Sequence, residues 1–287
     1  MKWKKRMIRF LCRSTKNILL LPVLFAVLLC SCVSHLKDAK FYYAQAQGFS
    51  RVYQTEKAVA SFKKSLEEAE KEVVKKPSAQ AFMVKGLTEL HLSLWEEAEQ
   101  SFLAAFSYGF DDGQEWAAGV SLFGLASSME EMGLEDSAFQ IYAYLVDKSK
   151  LKLVTIFAAQ KYTELVLQKA LEEEGKQREK QLSGLLREIE SLTKKDLSCG
   201  FFHYLQSQVL GHMVKYRRSF EEAVMAKELG LPTQEIMRDN DLQIVSCFQR
   251  LREELSQGES EKFHALYLEW VKRWDWPDPE IPDWKKR

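Results

Sequence analysis

A triplet of residue types recurs along this chain at a fixed interval of 40 residues: Ala46, Ala58 and Phe62, then Gly86, Ala98 and Phe102, then Ala126, Ala138 and Tyr142. In each unit a small residue is followed after twelve positions by Ala and after four more by an aromatic ring. A self-similar period of this length is the mark of stacked supersecondary units, because one unit cannot bury its apolar face alone and the next covers it. The flanking segments are rich in Ala, Leu, Glu and Lys with apolar residues at helical spacing, and only 13 Gly and 6 Pro occur among 287 residues. The units are therefore helix-turn-helix hairpins, and the chain is expected to be all-α, an α-solenoid of about six antiparallel hairpins or twelve helices.

The formal charge of the whole chain is zero, yet it is unevenly spread. Residues 1–31 carry seven basic side chains and no acid, which leaves 34 basic against 41 acidic residues downstream, a net charge of −7. A body of that sign repels phosphate, so no nucleic-acid partner is expected. The basic leader runs into the apolar segment Ile18 to Leu29, which is too short to span a bilayer comfortably and of the length of a signal-peptide core. The segment ends in Leu29-Cys30-Ser31-Cys32. This resembles the lipobox of bacterial lipoproteins, with Leu29 three before the modified Cys and Ser31 one before it. The resemblance implies removal of residues 1–31, a covalent lipid on Cys32 as the only prosthetic group, and anchoring by two or three acyl chains. Val33 follows, not Asp, so the expected site is the bacterial cell envelope, at the outer membrane facing the periplasm.

The hairpins resemble tetratricopeptide repeats, whose first helix (helix A) has a small residue at position 8 and whose second (helix B) has Ala at 20, an aromatic at 24 and a small residue at 27. Ala79 to Asp112 fits best, with Phe82, Gly86, Trp95, Ala98, Phe102 and Ala105 at positions 4, 8, 17, 20, 24 and 27. Residues 32–150 form the regular half. Residues 151–274 are read as divergent helical repeats and a cap, and 275–287 as an extended tail held by its prolines. Within the divergent part, Leu151 to Lys194 makes a fourth hairpin. A fifth, Tyr204 to Met237, places Leu210, Gly211, Phe220 and Ala223 at signature positions but Lys227 where the aromatic belongs. Thr233 caps a helix that Gly258 stops, and a last helix runs from Ser260 to Trp274.

In tetratricopeptide proteins helix A lines the concave surface. Carrying its inward positions over names Tyr43, Gln47 and Arg51, then Met83, Leu87 and His91, then Phe123, Ser127 and Glu130, with Tyr43, Met83 and Phe123 as an apolar ladder. The same stripe could equally be packing inside the array. Trp270 and Trp274 share a helix face and are expected to cover the final hairpin, while Trp276 and Trp284 could fold back on the body.

Motifs of catalysis are absent: no phosphate-binding Gly loop, no G-x-S-x-G, no H-E-x-x-H and no C-x-x-C. The five His show no metal spacing, so neither a catalytic nor a metal site is expected. Cys199 and Cys247 could pair as a disulfide in an oxidising periplasm or remain two buried thiols. The expected function is a non-enzymatic, membrane-anchored scaffold for a partner protein or peptide in an envelope complex. The alternative is a ligand-binding and delivery lipoprotein attached to a periplasmic solute transport system, which would need a closed apolar cavity near Met83, Leu87 and Phe123.

Overall fold

Residues 35–276 are described by the structure, a computed structural model, and every regular element among them is an α-helix. There are twelve: α1 His35–Arg51, α2 Thr55–Lys75, α3 Ala79–His91, α4 Trp95–Tyr108, α5 Glu115–Glu131, α6 Glu135–Lys148, α7 Lys152–Glu172, α8 Gly175–Lys195, α9 Gly200–His212, α10 Tyr216–Leu229, α11 Gln234–Glu254 and α12 Gln257–Arg273. None of them is long and apolar enough to cross a membrane. The chain divides inside α7 into two compact units, one ending at Leu165 and one beginning at Val166.

In the first unit α1/α2, α3/α4 and α5/α6 are hairpins closed by one and the same turn. Tyr53, Ser93 and Gly133, 40 residues apart, take the left-handed conformation with φ of 58°, 59° and 76°. The next backbone N–H in each case donates back to the carbonyl five residues earlier, as in Gln54 to Phe49 at 3.0 Å, Leu94 to Glu89 at 3.0 Å and Leu134 to Met129 at 2.8 Å. Only the third turn uses Gly; Tyr53 and Ser93 accept a backbone cost of order 1–2 kcal/mol that packing of the two helices must offset.

That packing rests on the repeated triplet. Ala46, Ala58, Ala98, Ala126 and Ala138 are all buried, and the aromatic residues Phe62, Phe102 and Tyr142 are 4%, 0% and 0% exposed. Phe102 shows why the pattern is needed. A Cβ added at Gly86, in its own hairpin, would lie 3.0 Å from the ring, and one added at Gly124, in the next hairpin, would lie 2.2 Å from it. The ring thus occupies space vacated by two side chains on two different helices. Several polar groups in these seams are paired: Ser65 donates to the Ala39 carbonyl at 2.9 Å and meets Thr88 at 3.0 Å, while buried Glu89 accepts from Lys85 and Ser101 at 2.5 Å each.

In the second unit, α8 presents Leu182, Leu185, Leu186, Ile189 and Leu192 as one buried stripe. The fifth hairpin is α9/α10, and here the sequence frame is corrected by one helical turn. It starts at Gly200, not Tyr204, and repeats the 13- and 14-residue helices of α3/α4. Val214, with φ 59°, takes the place of Ser93. The small positions are then Ser207 and Ser219, both fully buried, with the Ser219 hydroxyl donating to the Ser207 carbonyl at 2.8 Å. Gly211 instead makes room for Gln243 of α11, whose Nε2 would lie 2.4 Å from a Cβ there.

Thr233 caps α11 as expected, its hydroxyl accepting from Ile236 N at 3.1 Å. Gly258 does not stop that helix; α11 ends at Glu254 and Gly258 lies in the first turn of α12. From α12, Tyr267 stacks on Phe248 at 3.7 Å and Trp270 packs on Phe220 at 5.4 Å. The chain then makes one more left-handed turn, at Asp275, and Trp276 folds back to 7% exposure. Lys227 of α10 receives it: its ammonium lies 2.6 Å from the Asp241 carboxylate, 5.3 Å from the Trp274 ring and 5.0 Å from the Trp276 ring. Trp274 also donates from Nε1 to Glu228 at 2.8 Å. Trp284 lies outside the described residues.

The seat of Phe102 gives a direct test. Gly124→Ala places a methyl inside the ring's volume and is expected to destabilise the protein by about 1–3 kcal/mol, with partial rescue when Phe102→Leu is added. Urea unfolding of the single and double variants measures it, and an unchanged midpoint for Gly124→Ala would show that the ring is not held tightly between the two glycines.

Candidate functional site

The A helices α1, α3 and α5 pack one against the next, so residues at the same repeat position form rows across them. The row Tyr43, Met83 and Phe123 is not the open ladder that the sequence suggests. Tyr43 and Met83 are each 1% exposed, and only Phe123 is half-buried. The rings of Phe62 and His91 stand 5.6 and 5.4 Å from Tyr43, and its hydroxyl accepts from Gln47 Nε2 at 3.2 Å and meets His91 Nε2 at 2.9 Å. Met83 sits in a cluster with Ala39, Ala69, Val84 and Ala117. Both are core side chains, because neighbouring hairpins close over them before any partner could. Phe123 leans on Tyr142 at 5.6 Å and Phe157 at 6.2 Å.

The neighbouring rows keep access to solvent. Gln47, Leu87 and Ser127, again 40 residues apart, are each half-buried, and Leu87 rests on apolar side chains of three adjoining clusters. His91, exposed as a residue, stacks on Phe62 at 4.6 Å. Glu130 accepts from Lys161 Nζ at 2.9 Å and from the Tyr142 hydroxyl at 2.8 Å, and Ser127 meets that hydroxyl at 3.2 Å. Burial, with Glu130 beside it, raises the Tyr142 phenol far above its ordinary range, so it remains a hydrogen-bond donor. Burial alone would depress Lys161, but the hydrogen bond and charge of Glu130 outweigh it and hold the ammonium above its ordinary range. The face thus offers an apolar centre at Leu87 and Phe123 with a polar rim of Gln47, Ser127, His91 and the Glu130–Lys161 pair.

Sequence reasoning did not single out two cations. Lys161 belongs to α7, 31 residues from Glu130, and only the stacking of hairpins brings them together. Lys40 is 3% exposed and donates to Gln80 Oε1 at 3.0 Å; burial lowers its pKa to about 8, against the opposing attraction of Glu72. The signal available was a Lys one residue after the buried Ala39, on the core side of α1.

Cys199 and Cys247 are separate buried thiols and not a disulfide. Cys199 precedes α9, while Cys247 of α11 lies 3.2 Å from the Ser219 hydroxyl, and burial pushes its thiol up. Among the described residues no three His, Cys, Asp or Glu side chains form a group able to hold a metal ion. Cys32 lies outside the described residues.

No protein-family model matches the sequence, and no curated protein matches it. Among solved structures the chain is similar to YrrB, described as a TPR protein with an unusual peptide-binding site, at 16% identity and a TM-score of 0.39 over 70% of this chain and 90% of that one. It is also similar to a tetratricopeptide repeat protein from Parabacteroides merdae, at 14% identity and 0.47 over 77% of this chain and 75% of the other. A third similar structure is PilF of Pseudomonas aeruginosa, at 13% identity and 0.47 over 80% and 98%.

The His91 environment has a consequence for stability. Desolvation holds the imidazole below its ordinary range, so the unfolded chain takes up the proton first as the pH falls through about 6.5. The folded state is favoured while the ring is neutral and loses stability on acidification. Urea unfolding from about pH 7.5 to about pH 5 should show a smaller loss in His91→Phe than in the wild type. Equal losses would mean that His91 titrates alike in the folded and unfolded chains.

Proposed function

We propose that this protein is a lipid-anchored, non-enzymatic scaffold of a bacterial cell envelope that holds a partner protein or peptide on the face formed by α1, α3 and α5. The observation that carries this reading is the half-exposed row Gln47, Leu87 and Ser127, repeated across three packed A helices beside His91 and the Glu130–Lys161 pair. An extended segment or a helix laid across such a row buries apolar side chains on Leu87 and Phe123 and finds hydrogen-bond partners on both flanks. The body carries no excess of positive charge, which suits a protein partner better than a polyanion. Anchoring rests on Leu29-Cys30-Ser31-Cys32 after the basic and apolar leader, with the outer membrane facing the periplasm as the proposed site. The delivery of a small apolar solute is less well supported. The space around Met83 that such a ligand would need is taken by Ala39, Ala69, Val84 and Ala117.

Two experiments bear on this. The lipidated chain, affinity-purified from its own envelope, should lose a specific co-purifying protein when Leu87→Glu and Ser127→Arg are combined, while circular dichroism keeps the wild-type helical signal and the thermal midpoint, though lowered, stays well above the purification temperature. An unchanged set of co-purifying proteins with that folded variant would remove the face from consideration. Independently, Cys32→Ser should leave the precursor unprocessed and unlipidated, as read by mass spectrometry of the membrane fraction. A normally processed, lipid-modified Cys32→Ser protein would refute the lipobox assignment.

A further inference from the structure

The anchor, on the reading above, is very close to the first hairpin. Only Val33 and Ser34 separate Cys32 from His35, the first residue of α1, and three peptide steps reach at most about 11 Å. A lipid on Cys32 therefore keeps the α1 N-terminus within about 11 Å of the headgroups, close enough for that end of the hairpin to touch the bilayer when a second contact orients it. Because α1 and α2 are antiparallel, that end is the C-terminus of α2. His35 pairs with Glu68 at 2.6 Å, and the Leu36 N–H donates to Glu72 at 3.3 Å. Helix α2 continues past Glu72 to Lys75, extending about 4.5 Å further toward the anchor side.

The residues on this projection are Val74, Lys75 and Lys76, all exposed, with Val74 87% accessible at the helix end. An apolar side chain standing free beside two lysines has nothing to gain in water, and it is the combination that an interface of acyl chains and anionic headgroups accommodates. The charge is local. Residues 32–287 carry a net −7, the same end of the second hairpin bears Asp111 and Asp112, and at that end of the third hairpin Lys148 and Lys150 are paired with Asp147 at 2.8 Å and Glu115 at 3.7 Å. Lys71, one turn earlier, is held by Glu68 at 2.6 Å, and Asp38 and Glu70 are the exposed acids nearby, which leaves Lys75 and Lys76 as the cations directed beyond the helix end.

We propose that the C-terminal end of α2, formed by Val74, Lys75 and Lys76, is a membrane-contact surface that docks on anionic lipid headgroups and fixes the orientation of the first hairpin on the bilayer. This rests on the anchoring of the chain at Cys32. The lipid supplies attachment and the basic end supplies a second contact, so the hairpin does not pivot freely about its tether.

The test uses the lipidated full chain in vesicles of phosphatidylcholine and phosphatidylglycerol containing nitroxide-labelled lipid. One environment-sensitive fluorophore is placed at Val74→Cys or, for comparison, at Tyr53→Cys, which lies at the opposite end of α1, about 25 Å away. The label at Val74→Cys is expected to lose most of its fluorescence and that at Tyr53→Cys to keep it. The difference should vanish when Lys75→Glu and Lys76→Glu are added, and in vesicles of phosphatidylcholine alone. Equal fluorescence at the two sites on vesicle-bound protein would overturn the docking surface while leaving the anchor intact. Quenching at Val74→Cys that survives both the lysine changes and the loss of phosphatidylglycerol would overturn headgroup recognition. Release of the protein from vesicles in an alkaline carbonate wash, with an unmodified Cys32 by mass, would overturn the anchoring reading and this one with it.

Discussion

The seat of the Phe102 ring between Gly86 and Gly124 is the contact on which the order of the first unit depends. It joins two hairpins through a single side chain, because the ring fills space in its own hairpin and in the next at once. A helical hairpin buries too little apolar surface to hold itself together, so stability in such an array comes from interfaces between units. The aromatic residue supplies the area and the small residues supply the closeness, and neither works without the other. The same logic explains why non-glycine residues tolerate the left-handed turn. Tyr53, Ser93 and Val214 hold it because the helices on either side are already fixed by what they pack against.

The second unit reaches a similar result with different chemistry. In α9/α10 serine replaces the small apolar residues, and a hydrogen bond from Ser219 to the Ser207 carbonyl lies in the seam where Ala faces Gly in α3/α4. The aromatic contribution moves from the signature position, where Ala223 stands, to Phe220, which is covered by Phe263, Tyr267 and Trp270 of α12. A network of hydrogen bonds supports several of the polar groups buried there: His203 Nδ1 with Glu222 at 2.6 Å, Gln206 with the same carboxylate at 2.8 Å, and Thr193 with Gln206 at 3.2 Å.

Much of this was legible in the residue order, and the misses have identifiable causes. The three regular hairpins follow from the 40-residue recurrence, in which Ala58, Ala98 and Ala138 are all buried, and the helix number from the apolar stripes of the divergent half read one by one. In the sequence the fifth hairpin falls one turn out of frame. Phe201, Phe202, Leu205, Val209 and Leu210 bury almost every side of α9, which leaves no stripe to set its phase, and Ser207 does not look like a glycine equivalent. Gly124 has no signature of its own because Ala126, two residues on, already fills the small position of the motif. For the candidate face, spacing correctly grouped Tyr43, Met83 and Phe123 on equivalent positions. Spacing cannot say what covers a position, and the covering residues Phe62, His91 and Ala117 come from other helices. The Glu130–Lys161 pair leaves no trace in the spacing for the same reason.

The left-handed turn at Asp275 has the geometry of the turns that join an A helix to a B helix, with Trp276 N donating to the Val271 carbonyl at 3.0 Å. The chain therefore leaves α12 as though another helix were about to pair with it, and an indole takes the place from which that helix would begin. An array of repeats ordinarily ends in an uncovered edge, the surface through which one unit recognises the next. Here the cation of Lys227, already neutralised by Asp241, draws Trp274 and Trp276 onto α10. Trp274 and Trp276 thus cover part of α10 with side chains supplied by the chain itself.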